Sequence, residues 1–319
     1  MKAIKWIIVT CLIIGVILFG IAFASGATFD DFWGMFDDGD KYSEVKTYHY
    51  DEAADQIEIS VEERFIEFIY SDVEFISVEY REHERDTWTF DLVDSKVTIN
   101  QKKTYQWRLI NFSFAPDSYK AMKVYLPEGS EYSFDVSTNV GSITLDFDTN
   151  VNVTSLKLDS NTGSIKLKNL TVSDVFEISN DTGSIQMNQI TGDDLKVSLA
   201  TGNLDINTFG FNSMDIDSST GHLNLTNGAV STSIKADLST GSIEFNDVSA
   251  ASYDLSTATG SIEISTDQVD QMYFDLNTSV GSITVKGINR GNTYITDSSD
   301  THTVYVKIRT STGSINIHS

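Results

Sequence analysis

The sequence has few residues that cross-link or stiffen a chain, and little positive charge. Its 319 residues include one cysteine and two prolines. Because Cys11 lies inside an apolar run, we expect neither a disulfide nor a cysteine-based metal site in the folded part. The 22 Lys and Arg residues stand against 46 Asp and Glu residues, which gives a net charge of -24. This charge repels nucleic acid and anionic lipid headgroups, so a nucleic-acid partner is not expected.

The N-terminus carries a long uncharged run, Trp6–Ala24. As a helix it would measure about 28 Å, enough to cross the hydrocarbon core of a bilayer. Lys2 and Lys5 precede the run, and the acidic segment "FDDFWGMFDDGD" follows it. The positive-inside rule therefore predicts a single membrane span with the rest of the chain outside the cytoplasm. The alternative is a secreted protein, because Ala22-Phe23-Ala24 matches a signal-peptide cleavage site.

The second half of the chain repeats one short phrase, as in "SNTGSIKLKNL" and "LSTGSIEFNDV". A β-branched residue precedes each repeat glycine, and a serine follows it in seven of the nine copies. Successive glycines are 19 to 22 residues apart, except for the last step of 32. This pattern predicts a corner at each glycine. The nine corner glycines are Gly141, Gly163, Gly183, Gly202, Gly221, Gly241, Gly260, Gly281 and Gly313.

Apolar residues alternate on both sides of each corner. They stand two and four residues after the glycine, and five and seven residues before it. Alternation predicts strands, and about 20 residues is too short for a repeat that also contains a helix. We therefore predict an all-β fold, a right-handed parallel β-solenoid of about nine coils of 19–22 residues. The predicted segments are a transmembrane anchor or signal at 1–27, an acidic aromatic linker at 28–47, an irregular β cap with the first coils at 48–130, and the regular solenoid at 131–319.

A column of charged residues supports parallel stacking of the coils. It lies six residues before each corner glycine, and seven of its eight successive pairs have opposite sign. Parallel stacking would place these side chains about 4.8 Å apart, whereas a meander of hairpins would not make them neighbours. In sequence order the column is Asp135, Lys157, Glu177, Lys196, Asp215, Lys235, Asp254, Asp275 and Lys307.

The chain resembles a known family in its apolar N-terminal helix, its irregular strand-rich region, "KVYLPEG" at Lys123–Gly129 and its repeated "TGSI" coils. This combination is similar to the bacterial putative-adhesin family of β-strand-repeat proteins, over nearly all of the chain after Tyr48. The resemblance implies a non-enzymatic, extracytoplasmic surface or binding protein at the bacterial membrane, with no agreed catalytic residues. Some relatives belong to envelope stress responses, so a stress-signalling accessory protein is the alternative.

Several patterns suggest chemistry but have a simpler structural interpretation. Asp181–Ser184 matches the aspartic-protease signature, yet the other coils have Asn, Ser or Ala at the Asp181 position, so no second carboxylate is expected there. The column of threonines before the glycines is interpreted as hydrogen bonding the turn. The charged stretch Glu79–Asp86 is interpreted as a solvated loop or strand edge. No catalytic, cofactor-binding or metal-binding residue is predicted.

Two further readings stay open at this stage. Acidic pairs such as Asp193-Asp194 could bind calcium, although the glycine-rich nonapeptide of calcium-binding β-rolls is absent. A polysaccharide-active enzyme is disfavoured because four of the six arginines precede the repeats.

The last repeat stops five residues after its corner serine, which suggests an open strand edge at Ile315, Asn316, Ile317 and His318. Such an edge would pair with a strand of an unknown partner protein or of a second copy of the chain. A cell-envelope polymer is the other expected partner, bound elsewhere on the protein. The alternative is that Gly287–Asp300 folds over this end and caps it.

Overall fold

The structure, a computed structural model, describes residues 41–104, 116–296 and 302–319. In these residues almost every element is a strand, and all the strands belong to one hydrogen-bonded sheet. No helix in the described ranges is long and apolar enough to cross a membrane. The predicted span Trp6–Ala24 and the acidic linker lie outside these ranges.

The strands are numbered in chain order, and the sheet contains one short α-helix and one 3₁₀ helix between its strands. The elements are β1 Lys46–His49, β2 Gln56–Glu63, β3 Phe65–Ser71, β4 Ser77–Tyr80, β5 Asp86–Val93, β6 Lys96–Lys103, α1 Asp117–Lys120, β7 Ala121–Pro127, β8 Tyr132–Val140, β9 Ile143–Thr162, β10 Ile165–Thr182, β11 Ile185–Thr201, β12 Leu204–Thr220, β13 Leu223–Thr240, β14 Ile243–Thr259, β15 Ile262–Ser265, the 3₁₀ helix Asp267–Gln271, β16 Met272–Val280, β17 Ile283–Val285, β18 Ile288–Gly291, β19 Thr293–Ile295, β20 Val304–Thr312 and β21 Ile315–His318.

The central repeats stack in parallel, each one against the next. Strands β9 to β14 each run from one glycine corner to the next, and equivalent residues are partners, such as Ile165 with Ile185 and Thr182 with Thr201. The alternating apolar residues point inward and form one continuous buried core. Each coil buries its apolar side chains against its neighbours, so the sequence repeats because every coil needs the same buried apolar positions.

Glycine is required at the corner because stacked corners touch. All nine predicted corner glycines have a positive φ, between 139° and 158°. A Cβ added to Gly241 would lie 1.6 Å from the carbonyl oxygen of Gly221 in the preceding coil. Each glycine N–H from Gly141 to Gly241 also donates to the carbonyl of the threonine in the following coil, at 2.8–3.0 Å. The corner is therefore a backbone column with no room for a side chain.

A second corner follows six residues after the glycine, and the sequence analysis did not anticipate it. Residues at this corner have left-handed backbone angles without being glycine, and the strand register shifts just before or after it in some coils. Asparagine and aspartate tolerate this conformation better than most residues. The residues are Asn169, Gln189, Thr208, Asn227 and Asp247, with φ from 52° to 57°.

The coils at the end of the stack do not follow sequence order. Strand β20 pairs with β14 on one side and with β16 on the other. Strand β21 likewise lies between β15 and β17. The last repeat of the sequence is therefore inserted between two earlier repeats, and its corner glycine Gly313 lies between Gly260 and Gly281.

The beginning of the stack has a similar inversion. Strand β2 lies between β6 and β8, and β3 lies between β7 and β9. Antiparallel strands then cover both ends: β5 pairs with β6 and β4 with β7 at one end, and β18 pairs with β17 and β19 with β16 at the other. Reversed strands at the ends interrupt the parallel pattern that another coil would continue.

The structure contradicts the predicted open edge at Ile315–His318. Ile315 and Ile317 are fully buried, and β21 is paired along both of its edges. Residues within Gly287–Asp300 form β18 and β19, but these strands cover the Gly281 repeat through β17 and β16, and not the last repeat as the alternative prediction stated. The spacing of 32 residues predicts a loop that leaves the stack before a final outer repeat, whereas the Gly313 repeat lies between the Gly260 and Gly281 repeats.

Candidate functional site

A large concave surface on the described residues runs along the strand that leads into the glycine corner. It is formed by the outward-facing side chains at the fourth and second positions before the glycine, and its volume is about 740 Å³. We call this surface the trough. It crosses seven coils, about 29 Å at 4.8 Å per step. Its outward-facing residues are Ser179, Asp181, Ser198, Ala200, Asp217, Ser219, Asp237, Ser239, Ser256, Ala258, Asn277, Ser279, Arg309 and Ser311.

The trough exists because its side chains are small while those of the columns beside it are larger. On one side stands the charged column six residues before the glycine, and on the other the exposed threonines that precede the glycine. The smaller depression next to it, about 280 Å³, continues the same face into earlier coils around Lys157, Glu177 and Lys196. The face thus forms one long polar surface, with mostly short side chains in the trough and longer charged ones in the adjoining depression.

The floor of the trough is fixed by a third column, three residues before each glycine. Thr257 donates its hydroxyl proton to the carbonyl oxygen of Gly241 at 3.1 Å, and Thr310 donates to that of Gly260 at 3.2 Å. Asn180 does the same with its amide, at 3.0 Å from the oxygen of Gly163. All three side chains are buried. These coils are therefore each tied by a side chain to a neighbouring corner, whereas Leu199 and Leu238 at the same position form no such bond and the Ser218 hydroxyl has no partner.

This column corrects the sequence-based account of the threonines. The threonines directly before the glycines point outward and are exposed, from Thr162 to Thr312. The side chains that hydrogen-bond the corner are those two positions earlier. The polar residues at those positions, such as Ser160 and Thr278, were the signal that the sequence analysis missed.

The trough carries an uneven charge. Asp217 and Asp237 are register partners in neighbouring coils. Lys235 lies on the rim, with its Nζ 2.9 Å from Asp215 Oδ1 and 3.3 Å from Asp237 Oδ2. Hydrogen bonds from Lys235 to these two carboxylates raise the pKa of the lysine above its ordinary value. Ser256 donates to Asp237 from the next coil. The middle of the trough is therefore acidic, with its carboxylates partly compensated.

The two ends of this polar face differ. Burial raises the pKa of the Asp159 carboxyl, and the charges of Asp181 and Asp135 raise it further. At the other end Arg309 donates to Asp275 Oδ2 at 2.5 Å and to the carbonyl of the same residue at 2.7 Å. A ligand along this face would meet carboxylates at one end and a guanidinium at the other.

The charged column has a stricter alternation in space than in sequence. The partners run Asp135, Lys157, Glu177, Lys196, Asp215, Lys235, Asp254, Lys307 and Asp275, and every step joins opposite charges. The one like-charged step in sequence order, Asp254 to Asp275, is removed because Lys307 is inserted between them. Lys307 Nζ lies 2.8 Å from Asp254 Oδ2. The alternation of charge in the column therefore follows the order of the strands in space and not the order of the repeats in the sequence.

The stretch Glu79–Asp86 is only partly the solvated loop or strand edge that the sequence suggested, because Glu84 is exposed but the Asp86 side chain is not. Asp86 is fully buried and pairs with Arg64, whose side chain is also fully buried. Gln101 Nε2 donates to Asp86 Oδ1 at 2.8 Å, and His83 N–H donates to Asp86 Oδ2 at 2.9 Å. Arg64 occupies the corner position of its coil, because Glu63 is the partner of Val140 and the next partner would be Gly141. Asp86 therefore anchors the first corner, while the Glu84 side chain in the same stretch is exposed to solvent.

The remaining predicted residues are placed as follows. His318 Nε2 lies 3.0 Å from Glu263 Oε1, and Asn316 Nδ2 donates to the same oxygen at 3.2 Å. Both side chains lie on the strand after the corner, away from the trough's lining. No group of three or more His, Cys, Asp or Glu side chains in the described ranges is arranged to hold a metal ion.

Comparisons with known proteins place the chain in a family through one family model that matches most of its length. No curated protein matches the chain. A solved structure described as a putative adhesin from Bacteroides fragilis NCTC 9343 is 12% identical and has a TM-score of 0.46, covering 88% of this chain and 99% of that one. A putative cell adhesion protein from Clostridium sporogenes ATCC 15579 is 12% identical with a TM-score of 0.20, covering 87% and 98%. The family model described as Toastrack DUF4097 matches residues 54–318, and the chain belongs to this family.

Proposed function

We propose that the protein is a non-enzymatic binding protein of the bacterial cell surface, which holds an extended, hydroxyl-rich polymer of the cell envelope along the trough. The run Trp6–Ala24 anchors it as a single membrane span, and the strands lie outside the cytoplasm. The scaffold in this proposal is a right-handed solenoid of nine regular coils. The observation that carries the proposal is the trough itself, a polar surface that crosses seven coils without interruption.

The lining favours sugar hydroxyl groups as partners. Serine hydroxyls donate and accept hydrogen bonds, and the carboxylates of Asp217 and Asp237 accept them. No aromatic side chain belongs to the lining. Binding would therefore rest on many hydrogen bonds along the polymer and little on stacking, so we expect weak affinity per coil that adds up along the trough.

Charge narrows the choice of polymer. The net charge of -24 and the carboxylates of the trough repel anionic polymers at long range. A neutral glycan avoids this electrostatic repulsion, whereas a cationic polymer would be attracted by the negative charge. The experiment must therefore distinguish binding of a glycan from binding of a cationic polymer such as poly-lysine.

The test compares two exposed positions on different faces. Ser219→Trp fills the trough, and Gln186→Trp places the same ring on the strand after the corner, outside it. Both residues are exposed, so we expect both variants to fold. Binding to purified peptidoglycan, to chitohexaose and to poly-lysine is measured by biolayer interferometry.

We expect Ser219→Trp to weaken binding of peptidoglycan or chitohexaose by at least tenfold, and Gln186→Trp to leave it unchanged. Equal weakening by both variants would place the ligand elsewhere. Binding of poly-lysine alone would contradict the glycan. A product released from either glycan by the parent chain, and lost in Asp217→Asn, would favour the polysaccharide-active enzyme over a binding protein.

The second candidate, an accessory protein of envelope stress signalling, uses the same anchor and surface. It differs in the partner, which would be a membrane protein.

A further inference from the structure

We propose that the inserted segment Val304–His318 is an exchangeable donor: it fills a strand-acceptor slot between two coils of its own chain, and it can fill the same slot of a second copy. The slot is bounded by β14 and β15 on one side and by β16 and β17 on the other. The proposal is independent of the trough's ligand.

The slot recognises its occupant through the backbone on both edges. Ile262 N–H donates to the carbonyl of Ser314 at 2.9 Å, and Thr266 N–H to that of His318 at 3.0 Å. On the other edge the N–H of Ile315 donates to the carbonyl of Ser282 at 3.0 Å. Insertion of a strand between two strands satisfies both rows of backbone groups, which is the mode used in strand complementation.

Side chains make the slot selective. The segment buries Val306, Ile308 and Ile315, each exposed by 1% or less. Its lysine, Lys307, stands between two aspartates that would otherwise face each other, Asp254 and Asp275. A strand that fits must therefore combine alternating apolar residues, a glycine corner and a cation at one defined position. A second copy of this chain carries that combination in the same register.

Exchange would keep every contact of the segment. The segment is inserted between the Gly260 repeat and the Gly281 repeat, so only one of its neighbours in the stack, the Gly281 repeat, is also its neighbour along the chain. Taking it from a second copy replaces each hydrogen bond and each buried contact by an identical one, and changes only the path of the connection. This is the condition under which an element is exchanged between copies at low cost. The central coils do not meet it, because each is joined in sequence to the coils on both sides.

The experiment uses cysteine pairs in the full chain, with Cys11→Ser in every variant. Two chains with different tags are co-expressed, one with Asp254→Cys and the other with Lys307→Cys. Each carries one cysteine, so a mixed disulfide in excess of the background from chance encounters requires β20 of one copy to lie beside β14 of the other. The matched control is Asp215→Cys with Lys235→Cys, which are partners in the same column of two sequence-adjacent coils.

We expect at least tenfold more mixed disulfide from the first pair than from the control, in detergent-solubilised protein after mild oxidation. Equal amounts, or none from either pair, would overturn the exchange. The double variant Asp254→Cys/Lys307→Cys in one chain should form a disulfide within the monomer, and its failure to do so would overturn the slot itself. If these variants fold poorly, the partners Ser252 and Tyr305 provide a second pair, since the Tyr305 side chain is exposed.

Discussion

At the scale of the residue, the corner glycine is present in all nine repeats, and the coil of β2 and β3 has Arg64 at the equivalent position. The φ of the glycine is positive, but the stronger constraint is distance, because the carbonyl of the preceding corner lies where a Cβ would be. The sequence revealed this constraint by repetition alone. The left-handed residues at the second corner could not be found in this way, because Gln189 and Thr208 carry no signal for that conformation.

A pair of glycines separates the two effects. Gly241 and Gly129 both have positive φ, 139° and 84°, but an added Cβ would clash only at Gly241 and would meet no atom within 4 Å at Gly129. We expect Gly241→Ala to lower the free energy of unfolding by at least about 3 kcal/mol and Gly129→Ala by about 1 kcal/mol. Urea unfolding followed by circular dichroism measures both. Similar losses would mean that backbone strain, and not the close approach, sets the requirement for glycine.

At the scale of the element, parallel stacking could be predicted from the sequence and strand order could not. The apolar alternation and the charged column both required equivalent residues to be neighbours, and the register of Glu177, Lys196 and Asp215 is as predicted. The single like-charged step, Asp254 to Asp275, was the available signal that another strand lies between them. The regular spacing of the repeats predicts the opposite, that the coils of Asp254 and Asp275 are direct neighbours, because consecutive repeats in a solenoid are normally adjacent in space.

Charge reversal tests the column in the middle of the stack. Lys196→Glu would place like charges beside Glu177 and Asp215, which are its register partners. We expect a loss of about 1 kcal/mol in the free energy of unfolding at low salt, and a smaller loss when salt screens the charges. Adding Glu177→Lys should recover part of it. A double variant as unstable as the single one, at every salt concentration, would show that these charges do not interact.

At the scale of the whole molecule, the two inversions change how stability is distributed. In a regular solenoid the outermost repeats have one neighbour each, and losing one removes only its own contribution. Here the last repeat of the sequence is internal, and β18 and β19 form the end in its place. Residues near the end of the sequence should therefore behave as core residues, while residues about twenty positions earlier behave as surface.

Two isoleucines make this contrast measurable. Ile315 is fully buried in β21, whereas Ile288, in the end strand β18, is 53% exposed. We expect Ile315→Ala to cost about 2–5 kcal/mol, because it empties a site packed by coils on both sides. Ile288→Ala should stay within about 0.5 kcal/mol, as for an ordinary surface position. Urea unfolding gives both values, and hydrogen exchange should show lost protection in β15 and β17 for the first variant alone. A small effect at Ile315, equal to that at Ile288, would indicate that β21 lies at an open end of the stack, as the repeat spacing suggests. The reason is that a buried side chain in a strand with two paired neighbours cannot be removed without disturbing both of them.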